Sequence, residues 1–99
     1  MTKQQGESWH EFGEKRLCAM VNGKEGWLMW LADSEGDAGF SSRGDLDAQG
    51  ESRFQLANGQ QDSYPKAWIL PKDTIQRAVD HFKKTGERAP FVTWHDDGA

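Results

Sequence analysis

Residues 71–94 read PKDTIQRAVDHFKKTGERAPFVTW, and the order of the parts in this stretch decides the fold. Ile75, Ala78, Val79 and Phe82 recur at i, i+3, i+4 and i+7, which places them on one apolar stripe of an amphipathic helix. Pro71 suits the first turn, where its missing N–H loses no bond, and Asp73 puts a carboxylate at the positive helix end. Lys83 and Lys84 stand in the last turn, against the negative end. Gly86 supplies a left-handed stop, and Pro90 keeps the helix from resuming. Phe91 to Trp94 then reads as a short strand, with Phe91 and Thr93 facing one way and Val92 and Trp94 the other. A strand that arrives so late must pair with chain laid down long before it, so Trp94 is expected in the core, closing the sheet.

Upstream, Arg16–Val21 (RLCAMV) and Trp27–Leu31 (WLMWL) are β-prone runs around NGKEG, where Asn22 and Gly23 provide the positive φ of a tight hairpin. WLMWL is apolar at every position, as in a strand covered on both faces, with Trp27 and Trp30 pointing oppositely. Gly39–Ser42 is read as a short strand and Phe54–Ala57 as another. Asn58 and Gly59 form a turn, and Ala67–Leu70 is a short extended run after Pro65. Strands first, one helix late and a last strand give an α+β fold: an antiparallel or mixed sheet with one major amphipathic helix packed on one face. One domain is expected over residues 1–99, with 1–15 as a leader of unassigned structure and 95–99 as a frayed tail.

At 99 residues, folding buries roughly two-thirds of the unfolded chain's surface, enough for a core without staples. Five Trp, five Phe and one Tyr separate this chain from a disordered acidic one. Cys18 is the single cysteine and reads as a small buried hydrophobe, since no basic neighbour or helix start is at hand to activate a thiol. The start MTKQQGESW has no apolar core, and no run approaches the roughly 20 apolar residues of a spanning helix, so the expected location is cytoplasmic. The net charge of −4 is unevenly spread. Residues 33–51 carry Asp33, Glu35, Asp37, Asp45, Asp47 and Glu51 against Arg43 alone, a net of −5. Such a block repels nucleic acid and anionic membrane and attracts a basic partner.

Catalytic signatures are missing. There is no phosphate-binding glycine loop, no nucleophile elbow and no metal-ligand pair at helix or hairpin spacing. His10, His81 and His95 are scattered, and His95-Asp96-Asp97 falls where side chains diverge, so neither a metal nor a cofactor is expected. Ser41 and Ser42 have no nearby base to activate them, and Asp45 with Asp47 matches a hydrolase pair in composition only. The chain is therefore read as a non-enzyme. The tryptophans lack the basic stripe that holds phosphates, so nucleic acid is not the expected partner. Aromatic residues beyond core needs fit a protein interface instead.

Leu70, Pro71, a helix bearing Ala78 and Phe82, then Thr85, Gly86, Pro90 and Trp94 together resemble the Imm1 family of bacterial immunity proteins, whose closing pattern is LP, helix, F, TG, P and W. The NGKEGWLMWL hairpin and the GFSSRG segment are similar to that family's central sheet region. This resemblance implies an α+β antidote encoded beside a toxin that it binds and silences, often a nucleic-acid deaminase. A deaminase cleft built for a polyanion is basic, and the acidic block would complement it. The candidate toxin-binding residues are Asp33, Glu35, Asp37, Asp45 and Asp47 for steering and pairing, with Phe40 and Tyr64 as apolar anchors. The alternative is a small adaptor or regulatory module that binds a cellular protein. A third reading, an enzyme on a small polar substrate, would need a concave pocket with convergent titratable groups.

Overall fold

A computed structural model describes residues 6–33, 38–56 and 59–98. The elements run β1 (Gly6–Phe12), β2 (Lys15–Asn22), β3 (Glu25–Leu31), β4 (Phe40–Arg43), β5 (Glu51–Gln55), β6 (Gln61–Pro65), a 3-10 turn at Lys66–Trp68, β7 (Leu70–Pro71), α1 (Lys72–Thr85) and β8 (Thr93–Asp96). The main sheet has the order β1-β2-β3-β4-β8, with β7 also paired to β3, while β5 and β6 form a separate ribbon. Every pairing is antiparallel. The α+β expectation holds, with the helix on one face and a strand following it.

The β2–β3 hairpin is the centre. Its register sets Leu17 against Trp30 and Met20 against Trp27, so the two tryptophans leave the sheet on opposite sides. On one side Leu17, Ala19, Leu28 and Trp30 pack against Ile75, Ala78, Val79 and Phe82 of α1. On the other, Cys18, Met20 and Trp27 are covered by Phe54 of β5. WLMWL is apolar throughout because helix, sheet and ribbon form three layers and β3 lies in the middle one.

α1 ends as the sequence requires. Gly86 takes φ 75°, and its N–H donates to Phe82 O at 2.7 Å. A Cβ there would meet the Phe12 ring at 2.5 Å, so β1 closes onto the helix stop itself. The Trp30 indole N–H donates to Gly86 O at 3.1 Å and ties the same point to the sheet.

Several expectations are corrected. Residues 6–12 of the supposed leader are β1, an edge strand paired to β2 from Gly6↔Val21 to Phe12↔Lys15. The run at 67–70 is not uniformly extended: Lys66–Trp68 forms a 3-10 turn, with Ile69 N–H donating to Lys66 O at 3.1 Å, and β7 begins only at Leu70. The chain must turn a corner there, from the ribbon back to the main sheet. β5 starts three residues before the expected Phe54, and β6 occupies Gln61–Pro65, to which the sequence reading assigns no element. Gly59 N–H donates to Leu56 O at 3.0 Å in the expected turn, while Ala57 and Asn58 lie outside the described residues.

The closing strand is shifted towards the C-terminus. Phe91 and Val92 sit in a turn, and β8 pairs Thr93–Asp96 with β4, so His95 and Asp96 belong to the sheet instead of a frayed tail. Val92 faces the core and Phe91 is exposed, as the alternation requires. Trp94 packs on the helix-side core but is only half-buried, because β8 is an outer strand. Its indole N–H donates to Ala89 O at 2.9 Å.

Candidate functional site

Residues 44–50 join β4 to β5 and contain the densest described part of the acidic block. They form a built loop. Gly44 N–H donates to Ala67 O at 2.7 Å, and Lys66 N–H donates to Gly50 O at 2.9 Å, fastening both ends to the corner around the 3-10 turn. Between them Asp45 Oδ1 accepts the Asp47 N–H at 3.0 Å, and Asp45 O accepts the Ala48 N–H at 2.9 Å, an Asx-type turn. Gly44 is required by close approach, since a Cβ would run into the backbone of Ile69. The turn presents Asp45, Leu46 and Asp47 to solvent, with Leu46 68% exposed.

Arg43, the block's one cation, is withdrawn from this display. Its guanidinium donates to Ser41 Oγ and Ser42 O, both at 2.9 Å, lies 4.3 Å from the Trp68 ring centroid, and approaches Asp97 at 3.8 Å. Burial lowers its pKa from the ordinary arginine value and Asp97 opposes that shift. The acidic loop therefore keeps its charge outward while the arginine fastens β4 beneath it.

The other expected site residues are placed apart. Asp33 is exposed on the bend after β3, and Glu35 and Asp37 lie outside the described residues. Phe40 sits on the helix side, edge-on to Trp30 at 5.9 Å between centroids, with the Arg88 guanidinium 3.8 Å above its ring. Tyr64 sits on the ribbon side, 4.4 Å from Trp27 and 6.1 Å from Phe54. The main sheet separates Phe40 from Tyr64, which pack against different cores. Burial, then Asp62, raises the Tyr64 phenol to about 12, in keeping with a ring packed inward.

Leu46 was missed, although a signal existed: a lone leucine between two aspartates, inside glycines at 44 and 50, cannot reach a core from so short a loop. Its neighbour Asp45 lines a groove of about 470 Å³ together with Gly44 and Ala48 of the loop, with Ile69, Leu70 and Pro71, and with Lys24, Glu25 and Lys66. Lys66 is engaged, donating to Ser52 Oγ at 2.8 Å and to Glu25 at 3.5 Å.

The family model described as Immunity protein Imm1 matches residues 2–96. This chain belongs to the Imm1 family. No curated protein matches it. Imm1 proteins are non-catalytic antidotes that pair with a cognate toxin, so the chemistry of this Imm1 chain is that of a binding surface. Among the described residues no group of three or more His, Cys, Asp and Glu side chains is placed to hold a metal. His95 approaches Asp97 at 3.8 Å, but Asp97 also accepts from Ser41 Oγ at 3.0 Å, which makes it a brace between β4 and the chain beyond β8. Cys18 is buried, and burial followed by Glu7 raises its thiol to about 12, so it stays protonated and unreactive near neutrality. Among the described residues no helix is long and apolar enough to cross a membrane.

Proposed function

We propose that this Imm1 protein neutralises a nucleic-acid-targeting deaminase toxin in the cytoplasm by covering its active or substrate-binding surface. The carrying observation is the 44–50 loop: Asp45 and Asp47 are held outward by a hydrogen-bonded turn, and the neighbouring Arg43 is turned away from them. A deaminase cleft that receives a polyanion presents cations, and a preformed acidic loop competes for them without an ordering cost. Asp33, Glu35 and Asp37 extend the same sign of charge along the chain and add to steering.

The test is association kinetics. Asp45→Lys with Asp47→Lys should slow binding to the toxin domain encoded beside this chain by about tenfold or more at low ionic strength, and should flatten the salt dependence of the rate. Both residues are exposed, but Asp45→Lys also removes the Oδ1 that accepts the Asp47 N–H, so a loss of up to about 1 kcal/mol in stability is expected, and Asp47→Lys alone, which keeps that bond, serves as the control. Equal rates for wild type and variant at low salt would sink the steering role of the loop. Deaminase activity on single-stranded nucleic acid, lost when wild-type antidote is added, tests the class of toxin separately.

A further inference from the structure

β1 ends the main sheet, and among the described residues β2 is the only strand paired to it. The register runs without a bulge from Gly6↔Val21 to Phe12↔Lys15 and is closed by a two-residue turn at Gly13 and Glu14, with Gly13 at φ 65°. Such a hairpin makes Phe12 and Lys15 a hydrogen-bonded pair, and the alternation then turns the N–H and C=O of Trp9 and Glu11 away from β2. Seven residues of unbulged edge, with backbone groups facing outward, are a template for a further strand. The other edges offer less. β8 has four residues, β6 ends on Pro65, and β5 already gives Arg53 O to the Asn22 side-chain amide at 2.6 Å.

The side chains along the edge select its occupant. On the ribbon side stand Glu7, Trp9 and Glu11, with Arg16 of β2 behind them. Glu7 accepts the Trp9 indole N–H, and Arg16 lies 4.8 Å from the Trp9 ring centroid and 3.7 Å from Glu11. Two carboxylates thus meet one guanidinium that is already stacked, and the Glu11 side chain stays 70% exposed. On the helix side stand Ser8, His10 and Phe12. There Lys15 is paired with Glu87, and Lys83 adds to the lowering of the His10 pKa by burial. A second copy of this chain fits badly. Antiparallel pairing centred on Trp9 would set Glu7 of each copy against Glu11 of the other, and like charges directly opposite destabilise a sheet. Resting on the antidote reading but not on the acidic loop, we propose that the outer edge of β1 receives an extended strand of the toxin, with a Lys or Arg opposite Glu11, an apolar side chain opposite Trp9 and an uncharged residue between them. The cation meets the more acidic face, and the residue between points to the side that carries Lys83.

The probe is the catalytically inactivated toxin domain encoded beside the chain, followed by surface plasmon resonance and by amide hydrogen exchange. In the wild-type complex the Trp9 and Glu11 amides should exchange about tenfold or more slower than in the free chain. Glu11→Lys reverses the charge at the edge, and Glu11→Pro removes an outward N–H that β2 does not use. Each should weaken binding by about tenfold or more. Thermal unfolding is measured on both variants, and the exchange pattern of the wild-type complex decides the matter even where Glu11→Pro fails to fold. A wild-type complex that leaves those two amides unprotected, or binding of Glu11→Lys within about twofold of wild type, would overturn the edge assignment and leave the antidote reading standing. Protection of the same amides in a dimer of the free chain, detected by sedimentation, would make a second copy the occupant and overturn it as well. No complex with wild type, from a toxin domain shown to be folded, would overturn both.

Discussion

Ser42 shows how much one small side chain can settle. β7 and β4 both pair along the same edge of β3, at Glu25–Gly26 and at Met29–Trp30, and Leu28 falls in the gap between them. A buried N–H without a partner there would be costly. Ser42 Oγ accepts the Leu28 N–H at 3.0 Å and donates to Trp68 O at 3.1 Å, so one hydroxyl serves both sides of the gap in a fully buried position. Ser42→Ala leaves a donor and an acceptor unpaired and should destabilise the fold by about 1–3 kcal/mol. Urea unfolding checks this, and a loss under about 0.5 kcal/mol would mean that the gap is closed by other groups. In the sequence, the GFSS of GFSSRG reads as a short strand with two serines that no nearby base activates, and either serine is as good a candidate for the backbone substitute. Nothing local distinguishes them, because the groups that Ser42 serves lie 14 and 26 residues away.

At the scale of elements, legibility followed the strength of periodicity. α1 and the β2–β3 hairpin carry their own signals, an unbroken apolar stripe in one and turn residues between β-prone runs in the other, and both stand where expected. β1 and β6 do not. GESWHEF and QDSYP are outer elements with few inward side chains, so their burial patterns carry little apolar alternation. The 3-10 turn at Lys66–Trp68 is set by the corner between ribbon and sheet, a tertiary demand that overrides a β-prone AWIL. Within the candidate site, the loop's charge was readable from composition, whereas its rigidity and the groove beneath it depend on Gly44 approaching Ile69, across 25 residues of chain. β8 lies between these cases: its existence follows from Gly86 and Pro90, but its register belongs to β4. Because Trp94 is half-buried, Trp94→Ala should cost about 1–3 kcal/mol, below the full penalty for emptying a core site. An unchanged denaturation midpoint would show that β8 does not close the sheet.

For the molecule as a whole, the two faces of the sheet differ in kind. The helix side is sealed by aliphatic and aromatic groups that do not titrate, whereas the ribbon side buries Cys18 beside Trp27, Phe54 and the half-buried Tyr64. Burial raises Cys18 from its ordinary value of 9.0 to about 12 and Tyr64 from 10.0 to about 12, with Glu7 and Asp62 adding to the respective shifts. Between pH 9 and 12 the folded chain therefore holds protons that the unfolded chain has released, and stability falls as pH rises through that window. Below pH 9 both groups are protonated in either state, and their contribution is fully present. Alkali thus attacks the ribbon side, which also anchors the downstream end of the acidic loop through Lys66 and Gly50. Urea midpoints should decline from about pH 9 upward. Since lysines titrate in the same range, the decisive comparison is Cys18→Ala with Tyr64→Phe, which should show a shallower decline than wild type. An identical decline in wild type and double variant would place the alkaline sensitivity elsewhere. A shallower one would locate it in the second core, where loss of a proton leaves a charge that burial and a neighbouring carboxylate, Glu7 for Cys18 and Asp62 for Tyr64, both disfavour.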